Sequence, residues 1–247
     1  MKIIFFGGSK FSQFYLDAVK KSGLGEVFAY DELPSKEEIE KIAPDVGVVA
    51  YFGYIVPLEI LKIPKKGFIN VHYSLLPRWR GPAPVQFALL AGDREIGVTI
   101  LLAEKKVDAG GILAQEKIPI EPNDTYLSLE EKLIPLGSKM LIDILPKYME
   151  GSLTPKKQDE ASATYSKKIK KEDGKIDWPR PPEEIERMVR AYHPWPGAFT
   201  FADGKMIKIK KAEVSGDVFK PLIVQPEGKK EMSYEAYLKG HRNPLFK

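Results

Sequence analysis

Cysteine is missing from all 247 residues, which removes disulfides, thiolate zinc sites and a thiol nucleophile together. Its absence leaves the cytoplasm as the expected compartment. Histidine is scarce: His72, His193 and His241 are the three in the chain, too few for a His-rich metal centre. No apolar run approaches the roughly 18 residues of a membrane span. The first residues, Met1 to Gly8, hold too short an apolar run for a secretory signal and read as a strand entering a turn. No internal repeat is visible. What remains is 43% hydrophobic and 29% charged, enough apolar mass to offset the entropy of ordering one large domain or two smaller ones.

Charge is unevenly spread. The net value is +4, yet residues 1–162 carry 20 basic and 22 acidic side chains while residues 163–247 carry 18 and 12. A mildly acidic front with a basic tail suits a catalytic body and a polyanion-docking appendage. A lysine-rich solvated surface would read the same way.

The first half alternates short apolar runs with amphipathic segments, the pattern of βαβ units around a parallel sheet. Strands are expected at Lys2–Phe6, Glu26–Tyr30, Val46–Phe52 and Gly67–His72, with Gly97–Leu102 and Ile112–Ile118 as a later edge hairpin. Phe11, Phe14, Tyr15, Ala18 and Val19 fall at helical spacing. Ser35-x-x-Glu38 is a capping box, Pro57–Leu61 a helical turn, and Tyr126–Tyr148 a long helix capped by Asp124 or Thr125. Gly151–Pro182 is polar and reads as a surface linker. Beyond it lie a helix at Glu183–Tyr192, strands at Ala198–Phe201, Lys205–Val214 and Leu222–Val224, and a terminal helix at Ser233–Leu238. The expected organisation is a catalytic α/β domain over 1–150, a linker over 151–182, and a helix with a small β domain over 183–247.

Gly7-Gly8-Ser9 follows the first strand but matches neither dinucleotide nor P-loop spacing, so it reads as a tight turn. The informative stretch runs from Ile69 to Pro82. Asn70 and His72 lie two apart on a strand and therefore share a face, at the carboxyl end where open α/β sheets place ligands. An amide donor beside an imidazole suits a reaction that develops an oxyanion. A hydrogen-bonded core histidine is the other reading. Asp108 stands in a Gly-rich loop between two apolar strands, where it can face a cleft and orient His72 or can simply turn the chain.

The run Asn70-Val71-His72, Ser74-Leu75-Leu76-Pro77 and Arg80-Gly81, followed by Asp108-x-Gly110, resembles the 10-formyltetrahydrofolate-dependent formyltransferases. Further likeness lies at Asp45-Val46 to Gly53 and Pro57, at Gly97–Ile100 and at Ile176-Asp177-Trp178. Arg190–Ala198 and Gln225–Met232 look most like the branch that acts on methionyl initiator tRNA. The resemblance implies a Rossmann-like formyltransferase domain joined through a linker to a small OB-like β-barrel. It implies that Asn70, His72 and Asp108 are catalytic and that Ser74, Leu75, Leu76 and Pro77 contact the folate. Its other implications are 10-formyltetrahydrofolate as donor, no metal, no membrane, a monomer, and initiator methionyl-tRNA as acceptor.

Two segments depart from the family's pattern. Only Asp31-Glu32-Leu33-Pro34 stands after the second strand, where the tRNA enzymes carry a long basic loop. The chain after Pro196 is also short for a five-stranded barrel, so an incomplete one is expected. The missing loop favours one alternative, a small-amine acceptor such as an amino sugar nucleotide; a second, of a different class, is an RNA-binding homologue without catalysis.

Overall fold

The apolar runs of the first half become the middle of a sheet. A computed structural model describes residues 1–240; His241 lies outside them. In chain order the elements begin with β1 (Lys2–Phe6), α1 (Ser12–Lys21), β2 (Glu26–Tyr30), α2 (Lys36–Ile42), β3 (Val46–Val49), α3 (Leu58–Leu61) and β4 (Phe68–His72). They continue with α4 (Pro84–Ala91), β5 (Glu95–Leu102), β6 (Ile112–Pro119) and α5 (Tyr126–Met149). The remainder is α6 (Pro182–Ala191), β7 (Ala198–Ala202), β8 (Lys205–Ser215), β9 (Val218–Pro226), β10 (Met232–Ser233) and α7 (Tyr234–Gly240).

Two compact units divide these elements. The first gathers Met1–Pro84, Glu95–Pro119 and Glu131–Ser166. Its sheet has the order β2-β1-β3-β4-β5-β6. The first four strands run parallel, and β5 and β6 return antiparallel as the expected edge hairpin. Ile3, Ile4, Phe5 and Phe6 are all buried, as a strand covered on both faces requires. Phe6 lies 5.0 Å from Phe68 and 5.1 Å from Phe52, ring centre to ring centre. Strand β3 stops at Val49 rather than at Phe52, because Tyr51 takes a left-handed φ of 51° and turns the chain out of the ladder. Helix α1 buries Tyr15 and Val19 as its spacing predicts, but Phe14 points outward.

The second unit holds Val85–Arg94, Ile120–Glu130 and the chain from Lys167 onward. The first two segments fall inside the span expected as one catalytic domain. They join α6 through its arginines: Arg187 Nε donates to the Leu90 carbonyl at 3.1 Å and Arg190 Nη1 to the Asp124 carbonyl at 3.0 Å. Helix α6 turns Ile185, Met188 and Val189 inward. The antiparallel sheet here has the order β10-β9-β8-β7, a meander of four strands whose edge strands do not pair with each other among the described residues. Among the described residues the expected incomplete barrel is an open four-stranded sheet. Strands β8 and β9 meet through a tight turn at Gly216, φ 60°.

The stretch expected as a linker over 151–182 divides in two. Residues up to Ser166 belong to the first unit. They are pinned there by backbone pairing: Ile112 and Lys156 exchange two 2.8 Å hydrogen bonds, and Ser166 N donates to the Arg80 carbonyl at 2.7 Å. A polar composition reads as linker by pattern, yet here the polar groups bond to loops of the six-stranded sheet.

Candidate active site

Strand β4 ends at His72, and the chain then folds back over its own carboxyl end. Val49 on β3 pairs with Asn70, and Thr99 on β5 pairs with His72, so both side chains are set by sheet register. His72 is buried, and Asn70 is half-buried.

The loop 74–80 is braced from within. Ser74 Oγ donates to the Arg78 carbonyl at 2.6 Å. Thr99 Oγ1 donates to the Ser74 carbonyl at 2.6 Å, and Gln115 Nε2 to the Leu76 carbonyl at 3.0 Å. Ser74 and Leu76 are consequently buried, whereas Leu75 and Pro77 are half-buried and accessible. Of the four residues expected to touch folate, these two offer side-chain surface. The other two shape the loop.

Asp108 comes to this place from the β5–β6 connection. Its Oδ1 accepts from Asn70 Nδ2 at 3.0 Å, and its Oδ2 accepts from Gly81 N at 2.8 Å. The same Oδ2 lies 3.5 Å from His72 Nδ1. The three residues singled out in the sequence therefore converge. His72 Nε2 sits 2.9 Å from the Trp79 carbonyl oxygen. A carbonyl only accepts, so Nε2 is the donor there, which leaves Nδ1 as the nitrogen facing Asp108. The side chains of His72 and Asp108 are each 7% exposed, so their interaction is weakly screened by water.

Asp108 adopts φ 53°, a left-handed geometry that costs a non-glycine residue free energy and persists only when neighbours hold it. Two glycines make room. A Cβ at Gly110 would stand 1.8 Å from the Leu102 carbonyl oxygen, and one at Gly81 would stand 2.7 Å from the Ser166 carbonyl oxygen.

Three residues that hold this arrangement escaped the sequence reading of the site. Gln158 Nε2 donates to the carbonyls of both Asp108 and Gly110 at 2.8 Å. Arg80, 1% exposed, donates to Gln158 Oε1 at 2.8 and 3.1 Å and to both carboxylate oxygens of Glu160. Arg80 and Lys106 together hold the Glu160 carboxyl down to about 2. Arg80 was visible as part of a motif, without a role. Gln158 and Glu160 carry no local signal, since their partners lie roughly fifty to eighty positions upstream. Among the described residues no cluster of three or more His, Asp or Glu is arranged to hold a metal ion, and no helix is long and apolar enough to cross a membrane.

The arrangement can hold and pass a proton and can present an amide N–H to a developing negative charge. Comparison with known proteins agrees in kind. The formyl transferase family matches residues 29–145, and the formyl transferase C-terminal domain matches residues 168–221. A methionyl-tRNA formyltransferase from Caldanaerobacter subterraneus subsp. tengcongensis is 42% identical over 231 residues, covering 84% of this chain and 75% of that protein. One from Roseiflexus castenholzii is 48% identical over 180 residues, 73% of this chain and 58% of its own length. The fold resembles HypX from Aquifex aeolicus, solved in complex with tetrahydrofolic acid, with a TM-score of 0.73 at 18% identity over 100% of this chain and 48% of that one. The chain belongs to the methionyl-tRNA formyltransferase family.

Proposed function

We propose that the chain transfers the formyl group of 10-formyltetrahydrofolate to the α-amine of methionyl initiator tRNA, as a cytoplasmic monomer. The observation that carries the reading is the convergence of Asn70, His72 and Asp108 at the end of β4. The HypX structure with bound tetrahydrofolic acid supports a folate donor, and the curated relatives support the acceptor.

The donor supplies an activated formyl carbon. The amine, neutral above a pKa near ~8, attacks that carbon. A C–N bond forms, and the carbonyl π electrons move onto oxygen. Asn70 gives one amide hydrogen to Asp108 and has a second free to meet that oxyanion. Collapse restores the carbonyl and breaks the bond to N10 of the folate. The amine loses one proton and N10 gains one, so the site must hold a proton between the two events. His72 Nδ1 and Asp108 Oδ2 are the pair for it. Leu75 and Pro77 provide an apolar edge for the pterin against a loop already held rigid by Thr99 and Gln115. The transfer as proposed calls for no metal.

The acceptor reading draws on the second unit. Lys167, Lys168, Lys170, Lys171, Lys205 and Lys211 are exposed there, in a chain that lacks the basic loop after β2. Lys210 is different: it pairs with Glu231 at 3.1 Å and is mostly covered. Formyl transfer to charged initiator tRNA, measured beside a panel of small amines including amino sugar nucleotides, tests the whole reading. Transfer to tRNA is expected. Transfer to a small amine alone would replace the acceptor, and transfer to neither would leave only an RNA-binding homologue.

A further inference from the structure

The polar stretch from Lys156 to Ser166 touches both loops that frame the site. On one side Gln158 ties together the carbonyls of Asp108 and Gly110, fixing the left-handed turn from which the Asp108 carboxylate projects. On the other side Thr164 Oγ1 accepts from Trp79 N at 2.9 Å, and the Thr164 carbonyl accepts from Arg80 N at 2.9 Å. Thr164 N in turn donates to the Pro77 carbonyl at 3.2 Å. Trp79 is the residue whose carbonyl receives His72 Nε2. Arg80, fully buried, joins the two sides by donating to Gln158 and Glu160.

Each member of the His72–Asp108 pair is therefore aimed by a different end of one segment. We propose that Gln158 and Thr164 are positioning residues, a strap that sets the separation and angle of the His72–Asp108 pair from both sides. The inference deepens the formyl-transfer reading and rests on it. Its physical basis is that the pair meets at 3.5 Å, longer than a tight hydrogen bond, so a small loop movement decides whether a proton can pass. Misplacement of a reacting group by about 1 Å costs on the order of 10²-fold in rate.

The test uses Gln158→Met, which keeps length and apolar stem but removes both N–H donors and the Oε1 that accepts from Arg80, and Thr164→Val, which removes one acceptor at nearly constant volume. Ser162→Ala serves as the control: Ser162 is exposed on the same strap and its hydroxyl turns to Asp159. The readouts are kcat per folded enzyme, the Kd of a stable folate analogue, the melting temperature and the ring nitrogen signals of His72. Gln158→Met is expected to lower kcat about 10–100-fold and Thr164→Val about 5–10-fold, with analogue Kd changed less than about threefold. The His72 signals should move in both variants and stay in Ser162→Ala. A folded Gln158→Met with wild-type kcat overturns the proposal. So does a loss of activity that only follows the folded fraction. Should Gln158→Met fail to fold, Thr164→Val decides by the same criteria. A wild-type enzyme without formyl transfer would sink the functional reading, while unmoved His72 signals would separately sink the strap.

Discussion

Asn70 has two amide hydrogens, and one is already committed to Asp108. Under the proposed mechanism Asn70→Ala removes an oxyanion donor and also the hydrogen bond that holds Asp108 Oδ1. Turnover should fall about 10²–10³-fold while the melting temperature stays near wild type, since Asn70 is only half-buried; steady-state kinetics with thermal denaturation checks both. A second residue speaks to pH. Burial pushes the Glu130 carboxyl up to about 8 from its ordinary 4.5. Between those values the folded chain holds a proton that the unfolded chain has released. Stability from this group therefore falls as pH rises across the window, by no more than about 1.4 kcal/mol per unit, and levels off above 8. Urea unfolding should show wild type losing ground to Glu130→Gln from pH 5 to pH 8. Parallel curves would mean that Glu130 is already ionised in the fold. At this scale the pairing of Asn70 with His72 was legible, because a period of two on a strand needs only local sequence. Gln158 was not legible, because it acts on carbonyls about fifty positions away and a glutamine in a polar stretch looks like any solvated residue.

Elements were legible where their causes are local. The apolar runs of β1 and β4, the Ser35–Glu38 box of α2 and the hydrophobic spacing of α1 all announced themselves. The end of β3 did not, since nothing in Ala50-Tyr51-Phe52 shows that Tyr51 will turn left-handed. Nor did the strap, whose backbone ties to Pro77, Arg80 and Ile112 reach far along the sequence. The β5–β6 connection makes a sharp prediction of its own. Gly110→Ala would drive a methyl against the Leu102 carbonyl, a backbone atom that cannot swing aside. The expected cost is roughly 1–3 kcal/mol in urea unfolding, with kcat reduced because Asp108 shares the turn. A Gly110→Ala variant as stable and active as wild type would show that the loop has slack.

Across the whole molecule the charge asymmetry of the sequence persists in the exposed side chains. The body that holds Asn70, His72 and Asp108 is near neutral, whereas the exposed lysines from Lys167 onward give the appendage its field. Each phosphate contact displaces condensed counterions, so binding of methionyl initiator tRNA should weaken steeply between about 50 and about 200 mM salt. Reversing Lys205 and Lys211 to Glu should raise the tRNA KM severalfold and leave folate affinity unchanged. Lys210 is a poorer choice, because Glu231 already neutralises it. A salt-independent KM would remove phosphate contacts from the account.

The strap also sets an order in time. The ribosome makes Asn70, His72 and Asp108 first, and Gln158 is added about fifty residues after Asp108. At the usual pace of roughly 5–20 residues per second, that is a delay of about 3–10 s. During that interval the growing chain carries Asn70, His72 and Asp108 without the two hydrogen bonds from Gln158 that hold the Asp108 turn. A chain stopped short of Gln158 would keep all three side chains and lose the hold on the turn that carries one of them.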